Sequence, residues 1–131
     1  MTQRLATVTL LVRDYDEAIA WYTRALNFTL AEDTNLGNGK RWVVLKPEGD
    51  GDAQLLLARA AGPEQAARVG DQTGGRVAFF LETDDFAARH AAMARAGVAF
   101  IEPPRHEPYG TVAVFRDLYG NLWDLIEPQG R

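Results

Sequence analysis

Asp124 stands alone in an apolar run, Leu122-Trp123-Asp124-Leu125-Ile126. The run reads as a strand, and a carboxylate buried in one is costly unless a metal ion, a cationic side chain or water meets it. Which of the three meets Asp124 decides much of the chemistry open to the chain. Just before it, Arg116-Asp117-Leu118-Tyr119-Gly120-Asn121 reads as a tight turn. Gly120 and Asn121 tolerate positive φ, and Asp117 can bond its own backbone two residues on. Other acid–base candidates are few, because the sequence holds two histidines and no cysteine. Disulfides, thiolate zinc sites and cysteine nucleophiles are therefore excluded. His90 falls mid-helix by pattern. His106 falls in the Pro-rich loop at 103–108, where it is a weak candidate for a general base at a pocket mouth; surface histidines are common.

The elements that must position these groups follow from periodicity. Residues 8–12, Val-Thr-Leu-Leu-Val, form a β-branched strand. Asp14 is an N-cap with Glu17 at the third position, and Ala18, Ile19, Tyr22, Ala25 and Leu26 follow at helical spacing. Asn27, able to take the left-handed conformation, ends that helix. Strands are predicted at 28–32, 41–46 and 54–58, separated by the turns 36–39 and 48–52. The second half repeats the plan, with a strand at 77–81, a helix at 85–96, Gly97 as its stop, and strands at 99–102, 111–116 and 122–126. Trp123 is expected to face the helices, opposite Asp124, by strand alternation. The fold class is thus α+β: two βαβββ units, about 5–58 and 76–127, joined by a 59–75 connection in which Gly62-Pro63-Glu64 starts a short helix. A four-stranded unit cannot cover both its faces alone, so the two are expected to pair into one curved, cup-like mixed sheet with helices outside, as a single domain over 1–131.

Composition narrows the function. The 131 residues suffice for one domain with a core. A net charge of −4 with no basic cluster argues against a nucleic-acid partner. Residues 1–5 lead straight into the first strand without an apolar stretch long enough for a signal peptide or a membrane span, so a cytoplasmic protein with no membrane association is expected.

The two units, with VTLLVRDYDEAIAWYTRALNF at 8–28 and FRDLYGNLWDLIEP at 115–128, resemble the vicinal oxygen chelate superfamily. It includes glyoxalases, extradiol dioxygenases, fosfomycin-resistance enzymes and bleomycin-resistance proteins. The resemblance covers residues 5–128. Its enzymes hold one divalent cation in the cup, with ligands, usually His, Glu or Gln, on the first and last strands of each unit. Carried over, those positions fall at Thr7, at Leu56 or two residues away at Gln54, at Arg76 and at Asp124. Thr7 is a poor neutral donor, Leu56 has none and Arg76 is a permanent cation, whereas such ions need about three or four oxygen or imidazole donors. Only Asp124 suits a metal, with Gln54 a weak second. No cofactor is therefore expected, a divalent metal included. The resemblance also sets Arg76 and Asp124 on adjacent strands facing the cup, so the guanidinium is expected to bond the carboxylate.

Aromatic side chains offer planar surface to a flat ligand. Trp42 and Phe80 are candidate pocket residues that fit a core role equally well. Tyr109, in a loop stiffened by Pro103, Pro104 and Pro108, is a candidate rim contact or part of a simple connection. The expected function is a small-molecule-binding protein of the glyoxalase/bleomycin-resistance type, sequestering an aromatic or anionic ligand through Thr7, Trp42, Leu56, Arg76, Phe80, Tyr109 and Asp124. The alternatives are a metal-dependent lyase or ring-cleaving dioxygenase, and a metal-free enzyme using Asp124 or His106 as base. Relatives of this kind commonly dimerise, and a homodimer is expected.

Overall fold

A computed structural model describes residues 1–51 and 53–130; Asp52, the last residue of the second predicted turn, lies outside them. The chain forms two compact units, Met1–Val69 and Gly70–Arg131. The first contains β1 (Thr7–Val12), α1 (Tyr15–Ala25), β2 (Thr29–Gly37), β3 (Lys40–Lys46), β4 (Gln54–Arg59) and α2 (Gly62–Arg68). The second contains β5 (Val77–Glu82), α3 (Phe86–Arg95), β6 (Ala99–Phe100), β7 (Arg105–Glu107), β8 (Gly110–Arg116) and β9 (Leu122–Pro128).

The first unit builds a four-stranded mixed sheet in the order β1-β4-β3-β2, with β1 and β4 parallel and the other pairs antiparallel. The predicted caps form. The Asp14 carboxylate accepts from the Glu17 amide at 2.8 Å, and Asn27 leaves α1 at φ 57°. The buried face of α1 sets Ala18 and Tyr22 against a sheet face built from Leu10, Val12, Val43, Leu45, Leu55 and Leu57. β2 runs further than the predicted 28–32. Glu32-Asp33-Thr34-Asn35 is poor strand composition, yet it is drawn into the ladder by the hairpin closure at Asn38 (φ 56°) and Gly39 (φ 76°). Both central residues at positive φ make the turn twist with the strands.

The second unit repeats the plan as β5-β9-β8-β6, with β5 parallel to β9 and the rest antiparallel. Asp85 caps α3 through the Ala88 amide at 3.1 Å. Phe115, Trp123 and Leu125 are buried on one sheet face, and Phe86 and Met93 of α3 are buried with them in this unit's core. Trp123 is thus turned away from Asp124, as alternation requires. One prediction needs correcting here. The strand expected at 99–102 stops after two residues, and a separate strand, β7, carries His106 antiparallel to β8. Pro103 and Pro104 lack the amide donors a continuous ladder needs, so the strand breaks and resumes beyond them. His90, mid-helix as predicted, lies between the rings of Phe86 and Phe100, at 5.5 and 4.0 Å, with its Nε2 buried and, among the described residues, unpartnered. It packs; it does not face a site.

Candidate functional site

In each unit the sheet face opposite the packed helix carries candidate groups, and in the first unit the end of the sheet beside α1 adds others. In the first unit that face is set by pairing: Thr7 lies beside Gln54, Thr9 beside Leu56, and Leu56 beside Val44. Thr7 and Gln54 sit together at the entry of β1 and β4, both half-buried. Further along, β3 and β4 wall a cavity of about 570 Å³ that includes Thr9, Trp42, Leu56 and Ala58. Trp42 is 41% exposed, so this ring is not core. Trp42 and Leu56, two of the predicted ligand contacts, are brought together here; Thr7 and Gln54 are not among the cavity's lining.

The same cavity is lined by residues that pattern reading missed. Tyr15, the first residue of α1, is buried beneath two guanidiniums, Arg41 at 5.1 Å and Arg59 at 5.7 Å from its ring centre. Its hydroxyl accepts from the Arg41 amide at 3.3 Å. Arg41 donates through both Nε and Nη2 to Asp33, at 3.1 and 2.7 Å, and through Nη1 to Asp16 at 2.9 Å. That guanidinium holds the Asp33 carboxyl below the usual carboxylate range. The signal available in the sequence was the Gly37-Asn38-Gly39 hairpin, which folds Lys40 and Arg41 back toward the end of β4.

In the second unit the corresponding face carries Asp124, paired in register with Phe80 on β5 and Val114 on β8. Phe80 is 66% exposed and is therefore not core either. The expected Arg76–Asp124 ion pair is not formed. Register is the reason: Arg76 precedes β5 and lies four residues before the position level with Asp124, roughly 13 Å along the strand. Arg76 is exposed, and its carbonyl accepts from the Thr73 hydroxyl at 2.7 Å. The cation that reaches Asp124 electrostatically is Arg105 of β7. Arg105 pairs in register with Val112, two positions along β8 from Val114, and so shares the Asp124 face. It is itself engaged by Glu102 and Glu107, each at 2.9 Å, and by the Tyr109 side chain. Tyr109, 54% exposed, thus tops the β7–β8 hairpin with its carbonyl accepting from the Gln129 amide at 2.8 Å. His106 points to the other side of β7, its Nδ1 3.3 Å from the Thr111 hydroxyl. His106 and Asp124 therefore do not converge on one reacting atom.

Asp124 Oδ1 is buried and, among the described residues, has no hydrogen-bond partner. Burial pushes its carboxyl above the ordinary carboxylate range; Arg105 pulls it back in part and Glu102 adds to the rise. A folded-state pKa above the unfolded one means that the carboxyl contributes stability only below the unfolded value, near 3.8, and that this is lost as pH rises through the folded value. The ionised form therefore costs stability at neutral pH. Asp124→Asn is expected to stabilise the fold at pH 7 by at most about 1 kcal/mol, its half exposure leaving part of the charge hydrated. That gain should shrink toward zero below about pH 4. Paired urea titrations of the two proteins at both pH values check this, and a gain independent of pH contradicts it.

The donors at the four positions that bear metal ligands in the resembling enzymes do not fit a divalent ion. They are a neutral hydroxyl at Thr7, an amide at Gln54 or an alkyl chain at Leu56, a permanent cation at Arg76, and the lone carboxylate of Asp124. Among the described residues no three His, Cys, Asp or Glu side chains group closely enough to hold a metal. Among them, too, no helix is long and apolar enough to cross a membrane.

A protein of Shewanella frigidimarina (strain NCIMB 400), described as uncharacterized, is 52% identical over 128 residues, covering 97% of this chain and 95% of its own length. The crystal structure of UcmS2 superposes with a TM-score of 0.83 at 32% identity, covering 97% of this chain and 99% of that one. That of TnmS3, an antibiotic binding protein from Streptomyces sp. CB03234, superposes with a TM-score of 0.78 at 28% identity and covers 98% of each chain. The family model for the glyoxalase/bleomycin resistance protein/dioxygenase superfamily matches residues 4–125. The two βαβββ units and this match over nearly the whole chain agree, and the chain belongs to that superfamily.

Proposed function

We propose that this protein is a metal-free small-molecule binder of the bleomycin-resistance type, which sequesters an aromatic or anionic ligand rather than transforming it. The observation that carries this reading is the cavity of about 570 Å³ in the first unit, floored by aliphatic β4 side chains and flanked by the exposed Trp42 ring. A pocket of that size suits a ligand of drug-like dimensions. The likeness to TnmS3, an antibiotic binding protein, supports binding as the task. Phe80, Tyr109 and Asp124 give the second unit a contact surface of its own in this reading, and Arg105 replaces Arg76 as its charge. A homodimer in the cytoplasm belongs to the same proposal. β2 is an edge strand exposed over all nine of its residues, the kind of edge a second chain covers.

One observation favours the metal-dependent enzyme instead: the unpartnered Oδ1 of Asp124 is the donor that a cation would take. Extraction of the purified protein into organic solvent, followed by mass spectrometry, together with elemental analysis of the same sample, separates the two readings. A co-purifying organic molecule with no stoichiometric metal is the expected result. Zn²⁺, Ni²⁺, Mn²⁺ or Fe²⁺ near one equivalent, with a rise in Tm of several degrees on its addition, overturns the binder reading, since tight binding to the native state must stabilise it.

A further inference from the structure

The charges of the first-unit cavity are one-sided. Lys40, Arg41 and Arg59 line it and, among the described residues, no carboxylate does, in a chain with 18 acidic and 14 basic residues. Arg41 is already spent, its three nitrogens donating to Asp33 and Asp16. Arg59 is not. Among the described residues its guanidinium makes no hydrogen bond or ion pair, and its one contact of note is with the Tyr15 ring face, 5.7 Å from the ring centre. That ring is shared with Arg41, so two guanidiniums stand over one aromatic while only one of them is neutralised. An ideal Cβ at Gly39 would fall 2.9 Å from Arg59 Nη2, so the fork lies directly over the β2–β3 turn. Gly39, at φ 76°, is the residue that leaves it room.

We propose that this cavity takes a planar aromatic carboxylate, its anionic group on the Arg59 guanidinium above Gly39 and its ring system against Trp42, Leu56 and Ala58. The assignment rests on the reading of the chain as a small-molecule binder and names the class of ligand. The fork of an arginine matches a carboxylate with two parallel hydrogen bonds. Among the described residues neither Arg59 nor Lys40 has a side-chain hydrogen bond or ion pair, and of the two only Arg59 carries a planar fork; Lys40 adds a second positive charge to the same lining. The aliphatic β4 floor and the exposed indole supply the flat apolar surface that a fused ring needs.

The test uses three probes of one shape: 2-naphthoate, neutral 2-naphthamide and the cation 2-naphthylmethylammonium, titrated calorimetrically into the wild-type protein and the R59Q and R59K variants. Arg59 is exposed, so R59Q is expected to keep the wild-type urea midpoint. Naphthoate is expected to bind about tenfold or more tightly than naphthamide, with the ammonium weakest, because a charge-assisted pair is gained by the acid alone. R59Q should erase the preference for the acid while leaving naphthamide unchanged, and R59K should restore it only in part. Equal affinity for acid and amide, or a preference that survives R59Q, overturns the charge assignment and leaves the binder reading standing. Failure of all three probes to bind overturns the ligand class, and the extraction experiment above then reports separately on whether the chain is a binder.

Discussion

Asp117→Ala is expected to lower the free energy of unfolding by about 3–4 kcal/mol. This carboxylate is 6% exposed and sits at the entry to β9. Its Oδ1 accepts from the amides of Tyr119, Gly120 and Asn121 at 3.1, 3.0 and 2.9 Å. Its Oδ2 accepts from Asn121 Nδ2 at 3.0 Å and from the Trp123 indole at 3.1 Å. Truncation strands these donors, except that the Gly120 amide keeps the Asp117 carbonyl at 3.0 Å, and Asn121 and Trp123 are 4% and 3% exposed, so water reaches them poorly. A hydrogen bond to a charged acceptor contributes about 1.5–3 kcal/mol, and a stranded buried donor costs about 1–3. The sum over five donors would exceed the expected loss; relaxation of the turn and partial hydration hold it down. Asp117→Asn keeps one acceptor oxygen and turns an amide toward the remaining donors, so its loss should fall between wild type and Ala. Urea unfolding measures all three, and a loss below about 1 kcal/mol for the alanine variant refutes the hub. The consequence reaches the site, because the turn this carboxylate closes sets where β9 begins, and with it the position of Asp124.

Much of this was legible in the residues. Apolar periodicity, the cap at Asp14 and the stops at Asn27 and Gly97 marked α1, α3 and most strands, because each local preference agrees with the fold that uses it. Asp117 was legible too, as a turn residue bonding its own backbone. Three features were not. β7 was hidden by Pro103 and Pro104, which read as loop while the three residues beyond them rejoin the ladder. The partner of Asp124 depended on register, and a bulge between Val77 and Phe79 shifts the β5–β9 pairing in a way that alternation cannot reveal. Arg59 fell at the start of the 59–75 connection, with nothing to tie it to a site; the structure sets it beside Tyr15 and a cavity, over the Asn38-Gly39 turn. Helix and strand signals are local, whereas the site is made of contacts between residues about 20 to 45 positions apart in sequence, such as Tyr15 with Arg41 and Arg59.

Phe115→Ala is expected to cost about 3–5 kcal/mol, and Phe80→Ala no more than about 0.5. Both are phenylalanines on strands of the same sheet, and sequence alone allowed either to be core. Phe115 is fully buried, with ring centres 5.8 Å from both Phe100 and Trp123, so its loss opens a cavity among rigid aromatic neighbours that cannot collapse to fill it. Phe80, 66% exposed, projects from the other face in register with Asp124 and has little burial to lose. Denaturant midpoints of the two variants decide the matter, and a Phe80→Ala loss above about 2 kcal/mol would return that ring to the core. If the expected contrast holds, the fold gains almost nothing from a large apolar ring held beside a carboxylate that lacks a hydrogen-bond partner. Under the proposed binder reading, this is the face where a ligand would set a flat body against the ring and a donor on the acid. Loss of the extracted molecule from Phe80→Ala in an otherwise intact protein would tie this face of the second unit to binding.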